Sequence, residues 1–168
     1  MQAFDSLSRD IQQYIYDKGW PSLTNIQSAA IKQVANTDHN LILSAPTASG
    51  KTEAAFIPAL NSVEDWETGL KVLYVSPLKA LINDQFQRIS ELSEYLDIPI
   101  TRWHGEVSQT QKRKVVNQPK GILLITPESI EGMLVNRPGE AEHLFKGVEW
   151  IIIDELHSFL GTERGIHL

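Results

Sequence analysis

The chain has 168 residues, a formal charge of −6, 42% hydrophobic residues and no cysteine. That length and apolar content suit one domain with a sizeable core and exclude a disordered segment; the lack of cysteine excludes disulfides and thiolate metal sites and fits a reducing cytoplasm. The acidic balance excludes nucleic-acid binding through a broad basic surface, leaving only localised contacts. Apolar runs are no longer than a strand, so no membrane-spanning helix is expected, and the opening Met-Gln-Ala-Phe-Asp-Ser lacks the basic-then-apolar order of a secretory signal.

In chain order, the pattern predicts helices over residues 8–18 and 24–36, then a strand over 40–44 and a helix-competent stretch from Glu53. A second strand is expected over 70–76. Leu78, Leu81, Ile82, Phe86, Ile89, Leu92 and Leu96 then recur at helical spacing before a third strand over 98–104. Residues 108–118 read as a helix with Ser108 as N-cap, 121–126 as a strand, and 127–136 as a helix with Pro127 in its first turn. The β-branched run over 148–154 reads as a fully buried parallel strand. Strands alternating with helices predict an α/β fold with a doubly wound, mostly parallel sheet. The last residues, Gly165-Ile-His-Leu168, read as the start of a helix with no closing cap, so the domain is expected to be truncated.

Two segments carry chemistry. Ala45, Pro46, Thr47, Ala48, Ser49, Gly50, Lys51 and Thr52 follow the apolar Leu41-Ile42-Leu43 and lead into a helix. Strand, small-residue turn and helix in that order make an anion cradle, where free N–H groups and the positive helix end converge. Lys51 supplies a charge for the β- and γ-phosphates, and the Thr52 hydroxyl can hold Mg²⁺. Ala45 stands where the generic phosphate-loop pattern has glycine. Downstream, the strand over 148–154 ends in Asp154 and Glu155, at the carboxyl end where open α/β sheets hold ligands. Asp154 can serve the Mg²⁺ shell, and Glu155 can polarise the attacking water as general base.

With these motifs in order, the chain resembles the first RecA-like motor domain of superfamily 2 helicases, the DEAD/DEAH-box group in the broad sense. Gly19-Trp-Pro-Ser-Leu-Thr-Asn-Ile-Gln27 resembles the adenine-reading Q motif, residues 45–52 motif I, and Ser76-Pro-Leu-Lys-Ala-Leu81 motif Ia. Thr126-Pro-Glu-Ser129 resembles motif Ib, and Asp154-Glu-Leu-His157 is motif II in a DExH form. The wording of motifs Ia and II, with Gly161-Thr-Glu-Arg-Gly165, resembles the large helicase-related (Lhr-like) branch most. Leu23, where DEAD-box proteins commonly carry proline, agrees with that branch.

The resemblance implies a RecA-like P-loop domain over 1–168, with 1–39 as a helical lead-in. Motif III and a second RecA-like domain of the same polypeptide are expected beyond Leu168. It implies ATP and Mg²⁺ as cofactors, and Gln27 reading adenine through an amide that both donates and accepts. Phe4 stacks on adenine or serves the core; its short distance from Gly19 leaves both open. Nucleic acid, DNA ahead of RNA, would meet Ser76, Pro77 and Lys79 of motif Ia, Thr126, Pro127 and Ser129 of motif Ib, and His104 with Gly105. Arg164 either touches nucleic acid or pairs with an acid, and Lys112-Arg-Lys114 reads as a solvated helix face. His39, His143 and His167 are scattered and suggest no metal cluster. The implied activity is ATP-dependent unwinding of, or movement on, nucleic acid by a cytoplasmic protein. The alternative is a nucleotide-dependent switch that grips nucleic acid without unwinding it. The segment alone is expected to be nearly inactive, because the arginine fingers would lie on the second domain.

Overall fold

A computed structural model describes residues 2–46 and 48–160. The chain divides into two compact units, Met1–Glu64 and Asp65–Leu168.

The first unit is helical. A 3₁₀ turn, Phe4–Ser6, precedes α1 (Arg9–Asp17), α2 (Asn25–Asn36) and α3 (Lys51–Ser62). Ser8 caps α1 by accepting from the Ile11 amide, which satisfies one of the donors a helix start leaves free. Thr24 and Gln27 form a capping box at α2: the Thr24 hydroxyl accepts from Gln27 N–H, and the Gln27 amide oxygen accepts from Thr24 N–H at 2.9 Å. The α3 helix runs through Pro58, which supplies no N–H to the preceding turn, yet Ala54, Phe56, Ile57 and Ala59 are all fully buried. Packing holds α3 together where its sequence would break it.

The strand expected over 40–44 does not form. Those residues take no ladder partner among the described residues, and Ile42 is 83% exposed. A strand exists only through pairing, and the other elements of this unit are helices. Leu41 and Leu43 instead line a shallow groove with Ile26, Ala29 and Ala30 of α2.

The second unit is a four-stranded, all-parallel sheet with helices around it. Its elements are β1 (Gly69–Val75), α4 (Lys79–Tyr95), β2 (Ile100–Trp103), α5 (Gln109–Asn117), β3 (Lys120–Ile125), α6 (Pro127–Asn136), α7 (Pro138–Phe145) and β4 (Trp150–Ile153). The strand order is β2-β3-β1-β4. Leu70, Leu73, Val75, Leu123 and Ile125 pack with Met133 of α6 and with Ala141 and Leu144 of α7. Ile82, Ile89 and Leu92 are the buried apolar residues of α4, as the helical spacing predicts, whereas Leu78 is the exposed N-cap. Lys71 is the extra residue where the β1–β3 register slips, and its ammonium meets Glu149 Oε1 at 2.8 Å.

The expectation of a fully buried strand over 148–154 is corrected. Among the described residues β4 pairs only with β1, as a terminal strand, and Ile151 and Ile153 are exposed. A parallel-strand composition normally means burial on both faces; here the apolar run extends past the covering that the described residues supply. No described helix is long and apolar enough to cross a membrane.

Candidate nucleotide and nucleic-acid sites

In the first unit, the loop before α3 keeps the turn and helix start that its sequence implies, without the strand expected before them. Gly50 is the α3 N-cap in the left-handed region, at φ +83°, and Ala48 also has positive φ at +60°. No side chain caps α3, so its first-turn N–H groups are available to an anion. The Lys51 ammonium folds onto the loop, donating to the carbonyls of Ala45 at 2.6 Å and Pro46 at 2.8 Å. The Ser49 hydroxyl is buried with no hydrogen-bond partner. A buried hydroxyl left unpaired is costly unless a ligand completes it. The loop therefore fits an anionic group on its own chemistry. Thr47 lies outside the described residues, and Thr52 is half-buried in the first turn of α3.

Gln27 is 4% exposed and already engaged at both ends of its amide. Its oxygen accepts from Thr24 N–H, and its nitrogen donates to the Gly50 carbonyl at 3.5 Å. Each end keeps one further hydrogen-bonding position, enough for one donor and one acceptor on a base edge. Phe4 is half-buried in the 3₁₀ turn, and its carbonyl accepts from the Gln12 amide at 3.0 Å.

In the second unit, the strand register aligns four candidate sites. Val75 is level with Ile125 and Ile153, and Trp103 with Ile125. The residues that follow these strands, His104, Thr126, Ser76 and Asp154 in sheet order, therefore share the carboxyl edge where such sheets hold ligands.

At β4 the Asp154 amide extends the ladder by donating to the Val75 carbonyl at 2.9 Å. Glu155 then turns into the left-handed region (φ +50°), and its N–H donates to Asp154 Oδ1 at 2.9 Å. The other carboxylate oxygen, Oδ2, accepts from the Tyr74 hydroxyl. Tyr74 is buried in β1, and burial first, then the Asp154 hydrogen bond, pushes its phenol far above its ordinary value. It stays a neutral donor. Glu155 is exposed, and its carboxylate lies 3.4 Å from His157 Nδ1.

The candidate nucleic-acid residues divide by exposure. Ser76 is fully buried with its hydroxyl beside that of Tyr74, Pro77 and Pro127 are buried, and Thr126 is 8% exposed with its hydroxyl 2.9 Å from that of Ser129. Gly105 and Lys79 are exposed, and Lys79 pairs with Glu106. His104 faces inward. Glu106 N–H donates to its Nδ1 at 3.3 Å, so Nε2 carries the proton and donates to Asn83 Oδ1 at 3.3 Å. Burial, followed by the nearby Arg102 charge, holds the His104 pKa below its ordinary value. The same Asn83 oxygen accepts from Arg102 at 2.8 Å, and the Arg102 guanidinium lies over the Phe86 ring. Arg164 lies outside the described residues. Lys112, within the basic run, sits over the Trp103 ring at 5.7 Å.

Sequence reasoning missed Tyr74, Asn83 and Glu106. Tyr74 had a signal, since a tyrosine inside an aliphatic buried strand requires a partner for its hydroxyl. Asn83 and Glu106 join the network only through the fold.

A single carboxylate with one free lone pair on each oxygen fits magnesium, which takes one or two carboxylates and keeps waters and phosphates. No group of three or more metal-ligating side chains occurs among the described residues, so a caged cation does not fit.

The chain is similar to known helicases. An ATP-dependent helicase Lhr-Core of Methanocaldococcus jannaschii is 30% identical over 185 aligned residues, covering 99% of this chain and 21% of that protein. The Lhr helicase/uracil glycosylase of Escherichia coli is 35% identical over 169, covering 86% of this chain and 11% of that one. Among solved structures, Mycobacterium smegmatis helicase Lhr bound to single-stranded DNA and AMP-PNP superposes with a TM-score of 0.85 at 28% identity, over 99% of this chain and 22% of that one. The DEAD-box helicase Mss116, at 22% identity and a TM-score of 0.83, shares the fold. The chain spans about a fifth of the length of the Lhr-Core relatives it matches. The DEAD/DEAH box helicase profile matches residues 24–168, and the chain belongs to that family.

Proposed function

We propose that this chain is the N-terminal ATP-binding part of an ATP-dependent helicase or translocase acting on nucleic acid, DNA ahead of RNA, in the cytoplasm. The observation that carries the reading is the loop before α3. An uncapped helix start, two positive-φ residues and a buried, unpartnered Ser49 hydroxyl converge there. The nucleotide is ATP, with residues 45–52 around its phosphates and Gln27 on the adenine edge. Phe4 is half-buried beside α2 and is kept as a candidate for stacking.

Lys51 would leave the Ala45 and Pro46 carbonyls to meet the β- and γ-phosphates, exchanging two neutral acceptors for charged ones. Thr52 and Asp154 would hold magnesium, which when bound offsets the charge gathering on the phosphate oxygens. Glu155 orients the attacking water and takes up its proton, with His157 beside its carboxylate. Ser76, Pro77, Lys79, Thr126, Pro127, Ser129, His104 and Gly105 form the edge proposed to meet the nucleic-acid backbone. Phosphate contacts of this kind carry no sequence information. The DNA preference draws on the similarity to Lhr and to the helicase MrfA, solved with DNA at 28% identity. A second RecA-like domain of the same polypeptide would complete the motor.

The test uses the full-length protein, with nucleotide binding and phosphate release measured with and without single-stranded DNA or RNA. Lys51→Ala should abolish ATP binding, whereas Glu155→Gln should keep binding and lose turnover by at least about 100-fold. Equal loss of binding in both variants would remove Glu155 as the base. Stimulated hydrolysis without strand separation or movement would favour the switch over the motor.

A further inference from the structure

We infer that Tyr74 is a positioning residue for the metal ligand of this site, fixing the Asp154 carboxylate so that one lone pair of each oxygen faces outward. The inference rests on the proposed nucleotide site and adds to it a residue that lies in none of the sequence motifs.

The geometry is specific. Tyr74 is level with Ile152 across the β1–β4 pair, two residues before Asp154. Its hydroxyl therefore reaches across the end of the ladder to Asp154 Oδ2. Asp154 Oδ1 is held by Glu155 N–H at 2.9 Å. Two donors, one from β1 and one from the turn after β4, fix the rotation of the carboxylate by holding one oxygen each. Each oxygen keeps a second lone pair.

Tyr74 is 3% exposed, so its ring is packed in place and the hydroxyl is held ready with little further loss of rotamer freedom. Its neighbours in β1 are aliphatic, and a phenylalanine would fill the same volume. Packing alone does not account for the hydroxyl. Partners that orient a ligating carboxylate typically contribute 10–100-fold to metal affinity.

The experiment compares wild type with Tyr74→Phe in the full-length protein. Binding of a fluorescent ATP analogue is titrated in EDTA and then at rising magnesium, and thermal unfolding is followed in parallel. The expected result is metal-free affinity within about twofold of wild type and a half-saturating magnesium concentration raised roughly 10-fold. The ratio between the two conditions reports only on protein that binds nucleotide, so a partly unfolded sample does not blur it. An unchanged or lowered magnesium requirement overturns the inference, because the Tyr74 hydroxyl would then be a spectator or a competitor of the metal. Wild type that binds no nucleotide under either condition would instead refute the proposed function itself.

Discussion

Gly50 and Gln27 should be energetically coupled, and the coupling can be worked from the structure. A Cβ on Gly50 would lie 2.5 Å from Gln27 Nε2 and 3.3 Å from its Cδ, well inside contact distance. The backbone there has φ +83°, which costs an alanine about 1 kcal/mol. Gln27 sits on a flexible side chain, but its end is not free to yield. Its oxygen is one arm of the α2 capping box, and the residue is 4% exposed. Moving the amide away breaks that arm, at about 1 kcal/mol more.

Gly50→Ala should therefore cost roughly 2 kcal/mol, a factor of about 30, in nucleotide affinity, because only the loop in its present conformation binds. In a Gln27→Ala background the obstructing amide and its capping bond are already gone. The same Gly50→Ala change should then cost about 1 kcal/mol, roughly fivefold. The assay is a double-mutant cycle on the affinity of the full-length protein for fluorescent ATP and GTP analogues. Gln27→Ala alone should also narrow the preference for ATP. A Gly50→Ala penalty that is the same in both backgrounds to within about 0.4 kcal/mol would mean the two residues act independently. The reasoning would then fail.

Two further predictions concern the second unit. Gly121 has φ +68°, and a Cβ would lie 2.0 Å from the Pro99 carbonyl oxygen, which accepts from Ile122 N–H; Gly121→Ala should destabilise by about 3 kcal/mol, and a thermal midpoint within a degree of wild type would refute this. The buried His104 packs as a neutral ring with its pKa held below the ordinary value, so the unfolded chain takes up the proton first on acidification. Its contribution is present above about pH 6.5 and is lost as pH falls through the folded pKa. His104→Gln should flatten the loss of thermal stability between pH 7.5 and 5.5, and an unchanged slope would contradict the neutral packing.

The sequence made the helix starts legible, among them the start of α3 at the end of the loop over 45–50, because these are local signals. Ser108 caps α5 and Pro127 opens α6 as their residue types require. The strand over 40–44 was not legible in the same way. Leu41-Ile42-Leu43 specifies apolar extended chain, but a strand also needs a partner, and no local pattern supplies one. The fully buried reading of β4 failed for a related reason: its residues report what they can pack against, and its exposed Ile151 reports that the described residues do not cover it. The short helix α7 escaped notice because eight residues beginning with Pro-Gly give little periodicity. Tyr74 and Asn83 act through partners 80 and 21 positions away, beyond any sequence window.

The exposure pattern along the carboxyl edge narrows how the proposed nucleic-acid contacts could work. Sequence reasoning put backbone N–H groups, with the hydroxyls of Ser76, Thr126 and Ser129, on the phosphates, but Ser76 and Thr126 are buried, and His104 bonds inward to Asn83. What remains outward is main chain and one cation. Ser8, Thr24 and Ser108 cap α1, α2 and α5, whereas α4 and α6, the helices that begin after β1 and β3, have no side-chain cap. The first turn of α4 therefore keeps the free donors and positive end that suit an anion, whereas at α6 Pro127 has no N–H and Ser129 N–H donates to the Thr126 carbonyl at 3.0 Å. Lys79 stands at the first of these starts, held by Glu106 in an ion pair that is more than half exposed on both sides. Such a pair contributes little, so a phosphate can replace Glu106 at small cost. The Thr126 hydroxyl then serves its own turn, where it meets that of Ser129. An edge built this way would grip backbone of any sequence, and its affinity should weaken with salt despite the chain's net charge of −6.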